Sequence, residues 1–266
     1  MIIISRDLVQ SLEYAEVSSW SSFLSGLQTG DYTTNLTQFG NSYALKALGV
    51  RSQLMNRTKD FSSADLGYFD AILDHYRETK TTFAFDIVPD LIDSNEIYTK
   101  LLEVGAKPVI HYTQHIFDLH NPIPDHELQC TVIEVESLDE FADTFVRGFG
   151  MDRERQQRVK HLQELGWSHP NLQKYLILYD NQTVATGVLH CSKEKIAVLS
   201  GGTTVPEFRG RGFQQAMIHH RLLQAKQQGM NYAISDAIAG STSSRNLQRQ
   251  GFQIAYTRTF WQVSFD

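Results

Sequence analysis

Thr203-Thr204-Val205-Pro206-Glu207-Phe208-Arg209-Gly210-Arg211-Gly212-Phe213-Gln214-Gln215-Ala216 places a glycine-interrupted basic turn between a β-branched stretch and a run of helical periodicity. A helix opening at Phe213 leaves its first amide N–H groups without intrahelical partners. Together with the positive end of the helix dipole, those amides attract a phosphate. Gly210 and Gly212 permit close approach of the backbone, and Arg209 and Arg211 can add charge-assisted bonds. The same turn also occurs in α/β proteins that bind no nucleotide, so its surroundings decide. Here they agree: residues 195 to 205 read as a strand ended by Pro206, and Phe213, Ala216, Met217, Leu222, Leu223 and Ala225 recur at helical spacing.

Beyond that helix come Gly229, an apolar strand Tyr232-Ala233-Ile234, a short helix from about Ser241, then Gly251-Phe252 and a last strand through Ile254, Tyr256 and Phe260. Leu138 to Phe149 and Gln173 to His190 supply an earlier helix and earlier strands. In this order and motif, residues 130 to 266 resemble the GCN5-related N-acetyltransferase (GNAT) family. Its pyrophosphate loop reads Arg or Gln, any, any, Gly, any, Gly or Ala; Arg209, Gly212 and Gln214 stand at the three defined places, the last a departure. The resemblance implies an acyl-CoA N-acyltransferase fold and acetyl-CoA as co-substrate. It also implies contacts from Gly202, Thr203, Thr204, Arg209, Gly210, Arg211, Gly212, Phe213, Gln214, Gln215 and Ser241. Thr203 and Thr204 would serve through their main chain, like an added strand. Gly201-Gly202 reads as a bulge or a close ligand approach, and Ser241 or Thr242 serves equally as a helix N-cap.

The tyrosine that many members use to protonate the departing thiolate would fall at Leu247, and their preceding asparagine at Gly240. Tyr256 is the replacement candidate for the acid, with Tyr232 behind it, although either can be a structural aromatic. Asp236 follows the strand that should splay at the acyl group and is the candidate base, or else a loop cap. The implied reaction moves acetyl from acetyl-CoA to a primary amine, on a small molecule or a peptide, by direct attack. The departures leave a non-catalytic acyl-CoA-binding regulatory module as the alternative.

These residues need positioning elements, and the rest of the chain predicts them. An amphipathic helix over about Leu8 to Leu27 precedes strands near Thr33 to Phe39, Tyr43 to Leu48 and Ser52 to Asn56. A helix from Ser63 to Thr79, a strand Thr82 to Ile87, a helix Ser94 to Gly105 and a strand Val109 to Phe117 follow. Two prolines in residues 118 to 129 read as a linker. The element order before the linker repeats the order after it, a degenerate duplication with an unrelated lid as the alternative. The expected fold class is α/β (α+β): a GNAT-like half over residues 1–120 and a transferase half over 130–266, each a mixed, mostly antiparallel sheet flanked by helices. Met55 to Ser63, at the counterpart of the phosphate loop, holds no glycine, so the first half is not expected to bind CoA. It should help form the acceptor site. Arg147 to Met151 is either an acceptor-side wall or a glycine C-cap.

With 24 Lys and Arg against 30 Asp and Glu, the net charge is −6, and no global field favours nucleic acid. The Arg153 to His161 cluster reads as a solvated helix face. Cys130 and Cys191 form no CxxC, and His111 and His115, four apart on a strand, lie about 13 Å from each other, so no metal site is expected. Nothing approaches a membrane-spanning run, and a reducing cytoplasmic setting is expected.

Overall fold

The computed structural model describes every residue other than 1, 29, 31, 94, 127, 136 and 266; of residue 153 it describes only the backbone. Helix α1 (Arg6–Leu27) starts where the Ser5 hydroxyl accepts from the Leu8 amide at 3.2 Å. It is followed by β1 (Thr34–Phe39), β2 (Ser42–Ala47), β3 (Arg57–Lys59), α2 (Phe69–Arg77), β4 (Phe83–Ile87), α3 (Glu96–Glu103) and β5 (Lys107–Asp118). After the proline-containing segment come β6 (Thr131–Glu134), α4 (Leu138–Gly148), α5 (Arg153–Gly166), β7 (Gln173–Tyr179), β8 (Gln182–Cys191) and β9 (Ile196–Thr204). The chain closes with α6 (Phe213–Gln227), β10 (Tyr232–Ile238), α7 (Thr242–Arg249) and β11 (Gln253–Val263).

Two expected elements differ. Ser52 to Asn56 is a turn rather than a strand, because the Asn56 side chain takes over backbone pairing. Its Oδ1 accepts from the Ala47 amide at 2.8 Å and its Nδ2 donates to the Val50 carbonyl at 2.7 Å. The strand begins one residue later. The helix expected from Ser63 opens as a 3₁₀ turn, Ser63–Tyr68, capped by Ser62 and Asp65, and becomes α-helical only at Phe69.

The eleven strands form one continuous sheet, in the order β1-β2-β3-β4-β11-β5-β10-β9-β8-β7-β6. Two separate sheets were expected; instead β11 lies between β4 and β5, and β5 lies between β11 and β10. Every neighbouring pair is antiparallel except β3·β4 and β9·β10, which occupy mirrored places in the order once the edge strand β6 is set aside. Register makes the mirror explicit. Tyr112 and Arg258, each seven residues past a helix-ending glycine (Gly105 and Gly251), stand directly opposite one another. Asp86 stands opposite Phe260, and Asp236 opposite Gln114, each partner nine residues past the same glycines.

Alternation along the strands distributes the core between two faces. On one face Ile116, Val198, Ile234 and Tyr256 pack under α1, and Leu176 and Val188 pack under α4 and α5. On the other, Ala197, Leu199, Ala233 and Phe117 meet α6 and α7, while Phe83, Phe85 and Ile87 meet α2 and α3.

Candidate functional site

Strands β9 and β10 pair in parallel only as far as Val198 and Ile234, yet run on to Thr204 and Ile238. They therefore fork, and the Ser235 hydroxyl marks the fork by donating to the Leu199 carbonyl at 2.8 Å. A bulge prepares β9 for this departure. The β8–β9 register slips between Thr186 and Val188, and Gly201 takes φ +59° while its carbonyl accepts from the Thr186 hydroxyl at 2.7 Å. Beneath the bulge lies Arg221 of α6, wholly buried and donating to the carbonyls of Val188 at 3.1 Å and Ser200 at 3.0 Å. Burial lowers its pKa to about 10. No sequence motif marks Arg221, whose role follows from tertiary burial alone.

Along the open side of β9 runs a cleft of about 690 Å³. Of the residues expected to hold the cofactor, it brings together Gly202, Thr203, Thr204, Arg209, Gly210, Gly212, Phe213, Gln214, Gln215 and Ser241. The remaining one, Arg211, lies outside the lining, its guanidinium 5.2 Å from the Phe208 ring centroid. Gly210 at φ +76° and Gly212 at φ +91° make the left-handed turn into α6. The amides of Phe213, Gln214 and Gln215 meet no acceptor among the described residues, leaving three N–H donors at a helix start. Thr204 adds a buried hydroxyl without a partner. This donor set fits a phosphate-bearing ligand.

Other placements modify the expectation. The Arg209 guanidinium donates to the Thr204 carbonyl at 3.1 Å and the Gly148 carbonyl at 2.6 Å, bracing the ends of β9 and α4 against each other. Gln214 accepts from Asn246 at 2.7 Å, tying α6 to α7 across the cleft. Ser241 is the N-cap of α7, its hydroxyl accepting from the Ser244 amide at 3.2 Å.

Asp236 points to the opposite face of the sheet, into a small cavity of about 50 Å³ at the fork that it shares with Glu16, Trp20, Trp167 and Ser200. Burial first, and Glu16 second, raise its carboxyl above the ordinary range. The Trp167 indole N–H and the Ser200 hydroxyl meet no partner there. Sequence reasoning missed both residues. Tyr256 does not line the cleft either. A register irregularity on β11 between Ile254 and Tyr256 accompanies its turn toward α1, where its buried hydroxyl donates to Glu13. Burial, then Glu13, lifts its pKa well above that of a free phenol.

The mirrored fork between β3 and β4 is closed. Lys59 bonds Asp86 at 3.2 Å, Glu13 at 3.0 Å and Glu16 at 2.6 Å, and Arg258 bonds Glu13 at 3.1 Å and Glu16 at 2.8 Å. Arg57 lies 3.3 Å from Asp86 with its guanidinium between the rings of Trp20 and Phe260. Three cations balance three anions here. Burial alone would raise the Asp86 and Glu16 carboxyls, but the surrounding cations hold both below the usual range.

No family profile and no curated protein matches the chain. Solved structures do. A GCN5-related N-acetyltransferase from Kribbella flavida superposes with a TM-score of 0.66 over 95% of this chain and 96% of its own, at 16% identity. The chain has the GCN5-related N-acetyltransferase fold. A tandem GNAT protein from the clavulanic acid biosynthesis pathway matches with a TM-score of 0.63 over 96% of this chain and 95% of its own, at 13% identity. A functionally unknown protein from Staphylococcus epidermidis gives 0.59 over 89% and 95%, at 12% identity. In this GNAT fold Leu247, at the place of the common tyrosine, is a buried core residue of α7. Among the described residues, no group of histidine, cysteine and carboxylate side chains could hold a metal ion, and no helix is long and apolar enough to cross a membrane.

Proposed function

We propose that the chain is an acetyl-CoA-dependent N-acetyltransferase that moves acetyl to a primary amine, on a small molecule or a peptide, by direct attack in a ternary complex. The observation that carries this reading is the conjunction of the forked β9 and β10 with the unpaired amides at the start of α6. The pyrophosphate would lie on the amides of Phe213, Gln214 and Gln215, and the pantetheine arm along Gly202, Thr203 and Thr204. Acetyl-CoA supplies the activated carbonyl. The residues of the chain hold and orient it, and Asp236 takes the proton of the attacking amine. A carboxyl raised by burial is a better base near neutral pH than an ordinary aspartate.

Residues 1–120 and 130–266 are, in this reading, the two halves of a duplication, with only the second retaining an open fork. The register equivalence of Asp86 and Asp236 supports it: the same aspartate is locked into ion pairs in one half and borders a cavity in the other. The first half contributes α1, whose Glu16 and Trp20 border the Asp236 cavity, to the acceptor side. A non-catalytic acyl-CoA-binding module is the second reading, favoured by Tyr256 lying away from the cleft and by Leu247.

Calorimetric titration with acetyl-CoA, followed by thiol release against a panel of amines, tests both. Binding with turnover is expected; binding without turnover on any amine favours the module. The Arg209→Glu, Gly212→Val double variant should lose acetyl-CoA binding while keeping its circular dichroism spectrum, and unchanged affinity would overturn the site.

A further inference from the structure

On the face covered by α1, away from the acyl-CoA cleft and sharing no lining residue with it, lies a cavity of about 470 Å³. Three carboxylates border it from separate parts of the chain: Asp7 and Asp60, and Glu194 in the turn between β8 and β9. No lysine or arginine side chain lines it among the described residues. Asp60 is only 4% exposed, and its Oδ1 meets no hydrogen-bond donor. The Oε2 of Glu194 is buried and equally without a donor. Lys59, next in sequence to Asp60, directs its ammonium to Glu13, Glu16 and Asp86 instead. Two buried carboxyl oxygens without donors in one cavity are costly in their ionised form unless a cation meets them.

The remaining wall suits an organic cation. Tyr14 and Tyr43 pack edge to face with centroids 6.0 Å apart, and both border the cavity. The chain itself demonstrates the chemistry. The Lys193 ammonium lies 4.8 Å from the Tyr14 ring centroid, donates to the Tyr14 hydroxyl at 3.0 Å and stands 4.0 Å from the Glu194 Oε1. This places one alkylammonium on the aromatic side of Glu194, with its other oxygen and Asp60 left for further charge.

We propose that this cavity is a binding site for an organic diammonium ion, whose two ammonium groups meet Asp60 and Glu194 while its methylene stem lies against Tyr14 and Tyr43. The inference does not rest on acyl transfer. Burial, with Glu13 adding to it, lifts the Asp60 carboxyl to about 8, so in the free protein it is largely protonated at pH 7. A bound cation favours the ionised form, and binding therefore releases a proton.

The test is calorimetry of the full chain, without acetyl-CoA, using putrescine (1,4-diaminobutane), butylamine and magnesium chloride at constant ionic strength. Putrescine should bind, more tightly than butylamine, with a heat that varies with the ionisation enthalpy of the buffer. Asp60→Asn and Glu194→Gln should each weaken it by about tenfold or more, and Asp60→Asn should abolish the buffer dependence. Asparagine accepts the φ of +57° at this position, so the fold tolerates the exchange. Absence of binding at millimolar putrescine, unweakened parental affinity in both variants, or displacement by equimolar magnesium would each overturn the proposal. None of these results depends on whether acetyl-CoA binds.

Discussion

Asp236 and Asp60 are both carboxylates raised by burial, and their consequences differ because their surroundings differ. If Asp236 accepts the amine proton, activity should fall as pH drops through its raised pKa. Asp236→Asn should lower kcat by about 10²–10⁴ and remove that acid limb, leaving acetyl-CoA affinity within a factor of about two. A kcat–pH profile of both proteins checks this. For Asp60 the effect is on stability. Its folded pKa of about 8 lies above the unfolded value near 3.8, so the folded state binds more protons between those limits and loses stability as pH rises through them. The Asp60→Asn variant should therefore gain on the parent in Tm from pH 4 to pH 8, with the difference constant above that. A variant that loses ground to the parent with rising pH would refute the assignment.

Among elements, the cleft depends on how closely α4 approaches β9. A Cβ added at Gly148 would run into the Thr203 side chain, so Gly148→Val should strain this contact by about 1–3 kcal/mol and weaken acetyl-CoA binding about tenfold, measured by titration. The closed fork depends on charge balance. Arg258→Met leaves Glu13 and Glu16 facing Lys59 alone, and should cost about 3–5 kcal/mol in urea unfolding. Much of this scale was legible in the sequence. Glycines at 210 and 212 can be read directly because the turn requires their positive φ, and the strand ended by Pro206 could be located from β-branched residues. The turn over Ser52 to Asn56 could not, since a side-chain hydrogen bond competes there with strand pairing. The direction of Tyr256 could not be read for a related reason: alternation gives two faces, and a register slip accompanies its placement on the face under α1. Arg221, Trp167 and Ser200 carry no local signature, because what gives them meaning, the carbonyls that meet Arg221 and the lack of partners for the Trp167 indole and the Ser200 hydroxyl, arises only after folding.

At the scale of the whole molecule, periodicity identifies strands but not their neighbours, so the placement of β5 and β11 was invisible from sequence. Both neighbours of β5, β10 and β11, come from residues past the linker, and both neighbours of β11, β4 and β5, come from residues before it. Residues 130–266 expressed alone should then be poorly folded, with a broad thermal transition, and so should residues 1–120. Mixed or coexpressed, the two pieces should copurify and regain a cooperative transition. A cooperative, monomeric 130–266 fragment would contradict the interlocked sheet.

That interlock also fixes a timetable for synthesis. The strand that fills the gap between β4 and β5 is the last of the eleven to leave the ribosome, so those two must wait for it, each with an unpaired edge. Long-range pairing of this kind folds slowly and leaves sticky edges exposed. The nascent chain, rather than the finished protein, is where this architecture is most exposed to aggregation and most in need of a chaperone.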